Sequence, residues 1–123
     1  MKRTKLQDVT VDQLVQRFTA IALDQDKALR SGQHAKFNRL FDELEAVKQE
    51  LQNRAGDQRR ALIALLAHSN AQVRLKSAIA TLALVPDVAR TTLQTISDQN
   101  EYPQAAYARD MINALGDGRF IPS

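Results

Sequence analysis

The sequence predicts an all-α fold of about six helices, arranged as antiparallel αα-hairpins stacked into a short right-handed superhelix. Three observations carry this. Apolar residues recur at i, i+3, i+4 spacing along nearly the whole chain. No segment shows sustained period-two alternation bounded by turn residues. Gly and Pro are few, four and three in 123 residues, against a turn-rich β-sandwich. The length fits a single domain.

Each element has local signals. Thr10-Val11-Asp12-Gln13 reads as a capping box, in which each end residue satisfies a backbone donor that the helix start leaves open. Val11, Leu14, Val15, Phe18, Ile21, Ala22, Ala28 and Leu29 then form one stripe, and Ser31-Gly32 ends a helix over about 11–30. A second helix runs from about 33 to 54 on Phe37, Leu40, Phe41, Leu44, Val47 and Leu51, and Ala55-Gly56 closes it. Phe18, Phe37 and Phe41 are expected in the core. The short Ser-Gly link makes the pair a hairpin.

Beyond Gly56 the helices shorten. Asp57 is the expected N-cap of a helix over about 58–68, burying Leu62, Ile63, Leu65 and Leu66. Asn70 caps the next, about 71–85. Pro86 suits the first turn of a fifth helix, about 87–98, with Val88, Ala89, Leu93 and Ile96 on its buried stripe. Gln99–Tyr102 is a loop. Pro103 starts a sixth helix, burying Ala105, Ala106, Ala108, Met111, Ile112 and Leu115, and Gly116 ends it. Phe120 and Ile121 in the tail are expected to dock on that helix and cap the stack.

The second half repeats itself. A shift of 33 residues lays Val73 on Ala106, Lys76 on Arg109, Ile79 on Ile112 and Leu82 on Leu115. Paired helices at a period in the thirties indicate a helical solenoid. Asn70-Ala71-Gln72-Val73-Arg74-Leu75-Lys76-Ser77-Ala78, followed by Pro86-Asp87-Val88-Ala89, resembles a HEAT repeat. The resemblance spans about residues 57–117. The chain as a whole, with Phe37-Asn38-Arg39-Leu40-Phe41 and Arg54-Ala55-Gly56-Asp57-Gln58-Arg59-Arg60, is also similar to a small bacterial family known only as a domain of unknown function. That likeness implies the fold and no activity.

Composition narrows the function. There is no Cys, which removes disulfides, thiolate zinc sites and cysteine catalysis. The longest apolar run, Ala61–Ala67, falls far short of the ~20 residues a membrane span needs. No apolar segment follows the basic start, so no signal peptide is read and a cytoplasmic location is expected. The net charge is +3, but Lys2, Arg3 and Lys5 supply part of the excess, and from residue 57 onward seven basic residues face six acidic ones.

No catalytic constellation is present: no phosphate loop, no HExxH, no GxSxG. The chain is therefore read as not an enzyme, with no cofactor and no metal. His34 and His68 lack partners at ligand spacing and are expected at the surface or at helix ends. Asp42, Glu43, Glu45 and Glu50 are expected on a solvated face, with Glu45 placed to pair with Lys48.

The candidate binding residues are basic: Arg54, Arg59, Arg60, Arg74 and Lys76, with Tyr102 as an aromatic anchor. Arg59 and Arg60 fall in the first helical turn, where the dipole disfavours cations, so another interaction must hold them. One reading is a groove for phosphate or for an acidic protein surface. The other is internal ion pairing, with Arg74 reaching Asp98 and Arg60 reaching Asp57 or Glu50. The function expected is a non-catalytic protein-interaction module of adaptor or antidote type. The alternative is a nucleic-acid-binding protein using a basic face. The expected state is a monomer, or a dimer if one end of the stack is uncapped.

Overall fold

The computed structural model describes residues 5–123. Lys2 and Arg3, which carry part of the basic excess, lie outside the described residues. Among the described residues there is no strand. Five α-helices form: α1 (Val11–Arg30), α2 (His34–Asn53), α3 (Ala71–Thr81), α4 (Pro86–Asp98) and α5 (Gln104–Gly116). With a ten-residue 3₁₀ segment at Gln58–Ala67 they make six helical stretches, and a short 3₁₀ turn, Leu6–Asp8, precedes them. The chain divides into two compact units, one ending at Ala61 and the other running from Leu62 to Ser123.

The first unit is the α1–α2 hairpin. The capping box forms as read: the Gln13 N–H donates to Thr10 Oγ1 (3.1 Å), and the Thr10 N–H donates to Gln13 Oε1 (2.9 Å). Replacing Thr10 with alanine is expected to cost about 1 kcal/mol, since it strips a backbone donor of its acceptor. A thermal melt checks this, and an unchanged midpoint contradicts it. At the other end of α1, Gly32 sits at φ +69°. That lets the Gln33 N–H reach Ala28 O (2.9 Å) and the Gly32 N–H reach Leu29 O (3.4 Å), a Schellman ending that turns the chain into α2.

The core line of α1 is Leu14, Phe18, Ala22 and Ala28, and that of α2 is Leu40, Leu44, Val47 and Leu51. Phe41 departs from the expected stripe and is 42% exposed. It follows Leu40 by one residue, about 100° around the helix, which carries it off the buried line. Arg54 closes the unit by donating to Leu6 O at 3.0 Å.

The expected α-helix at 58–68 is instead a 3₁₀ run. The Asp57 Oδ1 does accept from the Arg59 N–H at 3.3 Å, as a cap would, but Asp57 lies at φ +52° rather than in the extended conformation an N-cap uses, and the stretch it opens is 3₁₀. Leu62 is fully buried while Ile63, Leu65 and Leu66 are only partly so.

In the second unit, Asn70 caps α3 as expected, its Oδ1 accepting from the Gln72 and Val73 N–H groups. α3 stops at Thr81, four residues early. Ser77 and Thr81 hydroxyls both donate to carbonyls four residues back (2.7 and 2.8 Å), which loosens a helix. Val85 before Pro86 is then held at φ −134°, outside the helical region.

The core here joins Leu75 and Ala78 of α3, and Leu82 just after it, to Ala89, Leu93 and Ile96 of α4 and Ala108 of α5, with Ile79, Met111, Ile112, Leu115 and Phe120 packed around them. Three expectations fail. Val88 is 53% exposed, because Ala89, Leu93 and Ile96 define the core line of α4 and Val88 precedes it by one residue. Ala106 is exposed for the same reason beside Ala105. In the tail Phe120 packs on the core, but Ile121 is 79% exposed and does not dock.

Candidate functional site

The six predicted binding residues fall into two groups. Arg54, Arg59 and Arg60 belong to the first unit, and Arg74, Lys76 and Tyr102 to the second. Most of them are engaged by their own chain. Arg54 pairs with Glu50 at 2.9 Å, one helical turn back. Arg59 is buried, and its guanidinium grips Asp57 with two bonds, Nε to Oδ1 at 2.9 Å and Nη2 to Oδ2 at 2.6 Å. The Arg59 side chain holds the Asp57 carboxyl below the usual carboxylate range. The charge that the helix dipole would disfavour is thus matched locally. Arg60 is exposed and donates to Gly56 O (3.2 Å), not to Asp57 or Glu50.

Arg74 is the most connected of the set. Its Nη1 and Nη2 meet both Glu101 carboxylate oxygens at 2.8 and 2.7 Å. Its Nε donates to His68 O at 2.7 Å and its Nη2 to Ser69 O at 3.3 Å. One side chain thereby ties the loop before α3 to the loop before α5. The expected partner, Asp98, instead accepts from Gln94 at 2.8 Å on its own helix. The loop folds Glu101 back, its N–H reaching Ile96 O, so Glu101 takes the position facing Arg74. The hydrogen bonds from Arg74 lower the Glu101 pKa, and those to Glu101 raise that of Arg74. Lys76 is half-buried on α3.

Tyr102 is 57% exposed, and Arg109 holds it from above. The Arg109 guanidinium lies 5.4 Å from the ring centroid and its Nη1 donates to the Tyr102 hydroxyl. The same arginine donates to Ser97 Oγ (2.9 Å), Ser97 O (2.8 Å) and Asn100 Oδ1 (2.6 Å). Sequence reasoning set Arg109 beside Lys76 in the repeat and gave it no role. It is the residue that shapes the α4–α5 loop.

The histidines are quiet. His34 begins α2 at the surface, and His68 Nδ1 accepts from the Asn70 N–H at 3.0 Å. Lys48 pairs with Glu45 at 3.0 Å as read. No group of three His, Cys, Asp or Glu side chains among the described residues is placed to hold a metal ion. No helix among them is long and apolar enough to cross a membrane.

A different surface stands out. A groove of about 360 Å³ is lined by Leu66, Val88, Thr91, Thr92 and Thr95, with Arg74 and Asp87 at its edges. Its threonines are chemically muted. Thr91 Oγ1 donates to Asp87 O, Thr92 Oγ1 to Val88 O, and Thr95 Oγ1 to Thr91 O, each at 2.9 Å. With the hydroxyls turned to the helix backbone, the methyl groups are left to face outward, and α4 presents a second apolar stripe beside its core line. A groove in the first unit, of about 460 Å³, sets Leu6, Ile21, Leu40 and Val47 among Arg17, Asp24 and Glu43.

Two hairpin-built helical units, one of them with a methyl-lined groove, define a class: a small all-helical domain with an apolar surface groove. The chain belongs to the family DUF2019, described as a domain of unknown function, which it matches over residues 12–116. It is similar to a solved structure, that of the protein RPA1889 from Rhodopseudomonas palustris CGA009. The two are 40% identical with a TM-score of 0.93, over 98% of this chain and 100% of that one. None of the curated proteins matches.

Proposed function

We propose that the chain is a non-catalytic protein-interaction module, acting in the cytoplasm, whose contact surface is the α4 groove. The observation that carries the reading is the groove's chemistry. Leu66, Val88 and three threonines with internally bonded hydroxyls give an apolar floor, with Asp87 and the Arg74–Glu101 pair at the edge. An apolar centre with a polar rim is the anatomy of a protein contact. At about 360 Å³ the groove suits one or two inserted side chains. The HEAT-like resemblance agrees with this, since stacked hairpins expose faces that bind proteins.

The nucleic-acid alternative draws less support. Arg54, Arg59 and Arg74 direct their guanidinium groups at carboxylates and carbonyls of their own chain. A phosphate would have to displace those partners.

Affinity capture from host lysate, with and without nuclease, tests the reading. Wild type is expected to retain a near-stoichiometric protein that survives nuclease, and Val88→Asp is expected to lose it about tenfold or more. Nuclease-sensitive capture that falls steeply with salt contradicts the reading.

A further inference from the structure

We infer that the α4 groove receives the C-terminal tail of a second copy of this chain, with Ile121 as the inserted side chain. The inference rests on the reading of the groove as a contact surface.

Ile121 is 79% exposed, more than Phe41, Val88, Tyr102 or Tyr107. A large aliphatic side chain held in water gains free energy from any apolar seat. The backbone beside it is already fixed: the Phe120 N–H donates to Ala114 O at 3.1 Å, and the Phe120 side chain packs on the core of its own unit. With Phe120 facing inward, Ile121 is presented outward by an ordered segment, so little chain freedom is lost when it docks. The tail is not seated in its own groove, since no tail residue lines it.

The charges match as well. Asp87 lies at the groove edge beside Val88, and Arg119 stands two residues before Ile121. Arg119 now pairs with Asp117 at 2.8 Å, but both side chains are more than half exposed. Such a pair is worth little and can exchange partners. Ile121 on the methyl floor and Arg119 against Asp87 give one apolar anchor and one charge pair.

Each copy carries one tail and one groove, so the contact closes either as a reciprocal two-fold pair or, where copies meet head to tail, as a ring or an open chain. A contact this small is weak, and sedimentation equilibrium from about 10 μM to about 1 mM covers its range. The variants are Ile121→Ser and Val88→Asp. Both positions are exposed, and circular dichroism confirms that each variant is folded. Wild type is expected to gain mass with concentration. Each variant is expected to weaken self-association roughly tenfold or more. An equimolar mixture of the two is expected to regain dimers but nothing larger, joined by the single contact in which the tail of the Val88→Asp copy enters the groove of the Ile121→Ser copy.

A wild type that stays monomeric over the whole range overturns the inference, as does self-association that both variants retain. A monomeric wild type beside capture that Val88→Asp abolishes overturns the second copy alone and leaves the groove reading standing. Capture and self-association both indifferent to Val88→Asp overturn the two together.

Discussion

Replacing Arg74 with alanine is expected to destabilise the protein by about 2–3 kcal/mol. Arg74 and Glu101 are 15% and 28% exposed, so the pair is largely withdrawn from water without being sealed. Breaking a fully buried ion pair from one side costs roughly 3–5 kcal/mol, and partial exposure reduces that figure. The loss here includes the bonds to His68 O and Ser69 O. Glu101→Gln keeps a hydrogen-bonding partner and is expected to cost about 1 kcal/mol. A double-mutant cycle between the two separates their coupling from the carbonyl contacts. A change under about 0.5 kcal/mol for Arg74→Ala would make the residue an ordinary surface arginine and sink its structural role.

The same pair sets an acid limb. The Glu101 pKa is depressed in the folded state, so its contribution is complete above the ordinary glutamate value of 4.5 and is lost as pH falls below it. Asp57, depressed by Arg59, acts in the same direction. Stability measured against pH is therefore expected to fall on the acid side, and Arg74→Ala is expected to flatten that fall. An unchanged acid slope in Arg74→Ala contradicts the assignment.

Leu93→Ala is expected to cost about 3 kcal/mol, within the 2–5 kcal/mol typical of buried leucine truncations. Leu93 is fully buried among Leu75, Leu82, Ile96 and Ala108. Val88→Ala, five residues away on the same helix, is expected to cost about 0.5 kcal/mol, because Val88 is on the exposed stripe. Denaturant titration of both variants reads the orientation of α4 directly. Equal costs would mean that the groove stripe is core and not a surface.

The contrast between these two residues also shows how far the sequence was legible. Helix positions came through because caps are local: Thr10 with Gln13, Asn70, and Pro86 at a first turn each act within one helical turn. The core lines came through where spacing was strict, as in Leu40, Leu44, Val47 and Leu51. Residues one step off a line were misread, because apolar character alone does not say on which side of a stripe edge Phe41, Val88 or Ala106 falls. The 3₁₀ run at Gln58–Ala67 follows an Asp57 that is in the left-handed conformation, which its reading as an ordinary N-cap did not foresee.

The candidate site was legible only in part. The arginines were visible as charges, but their partners depended on loop geometry. Glu101 rather than Asp98 meets Arg74 because the loop after α4 turns back on itself. The groove did leave a trace in the sequence. Val88, Thr91, Thr92 and Thr95 recur at i, i+3, i+4 and i+7, a second stripe beside the core line. Threonine counts as polar in a composition, and only the bonds from its hydroxyl to the preceding turn reveal a methyl surface.

The central claim is that contact is made through the α4 groove and not through the basic cluster. Capture by Val88→Asp and by Arg60→Glu, measured side by side against wild type, tests it most directly. Both side chains are exposed, so both variants are expected to fold. The account predicts that Val88→Asp loses the captured protein while Arg60→Glu keeps it. Retention by Val88→Asp with loss in Arg60→Glu would contradict the account and move the contact to the arginines.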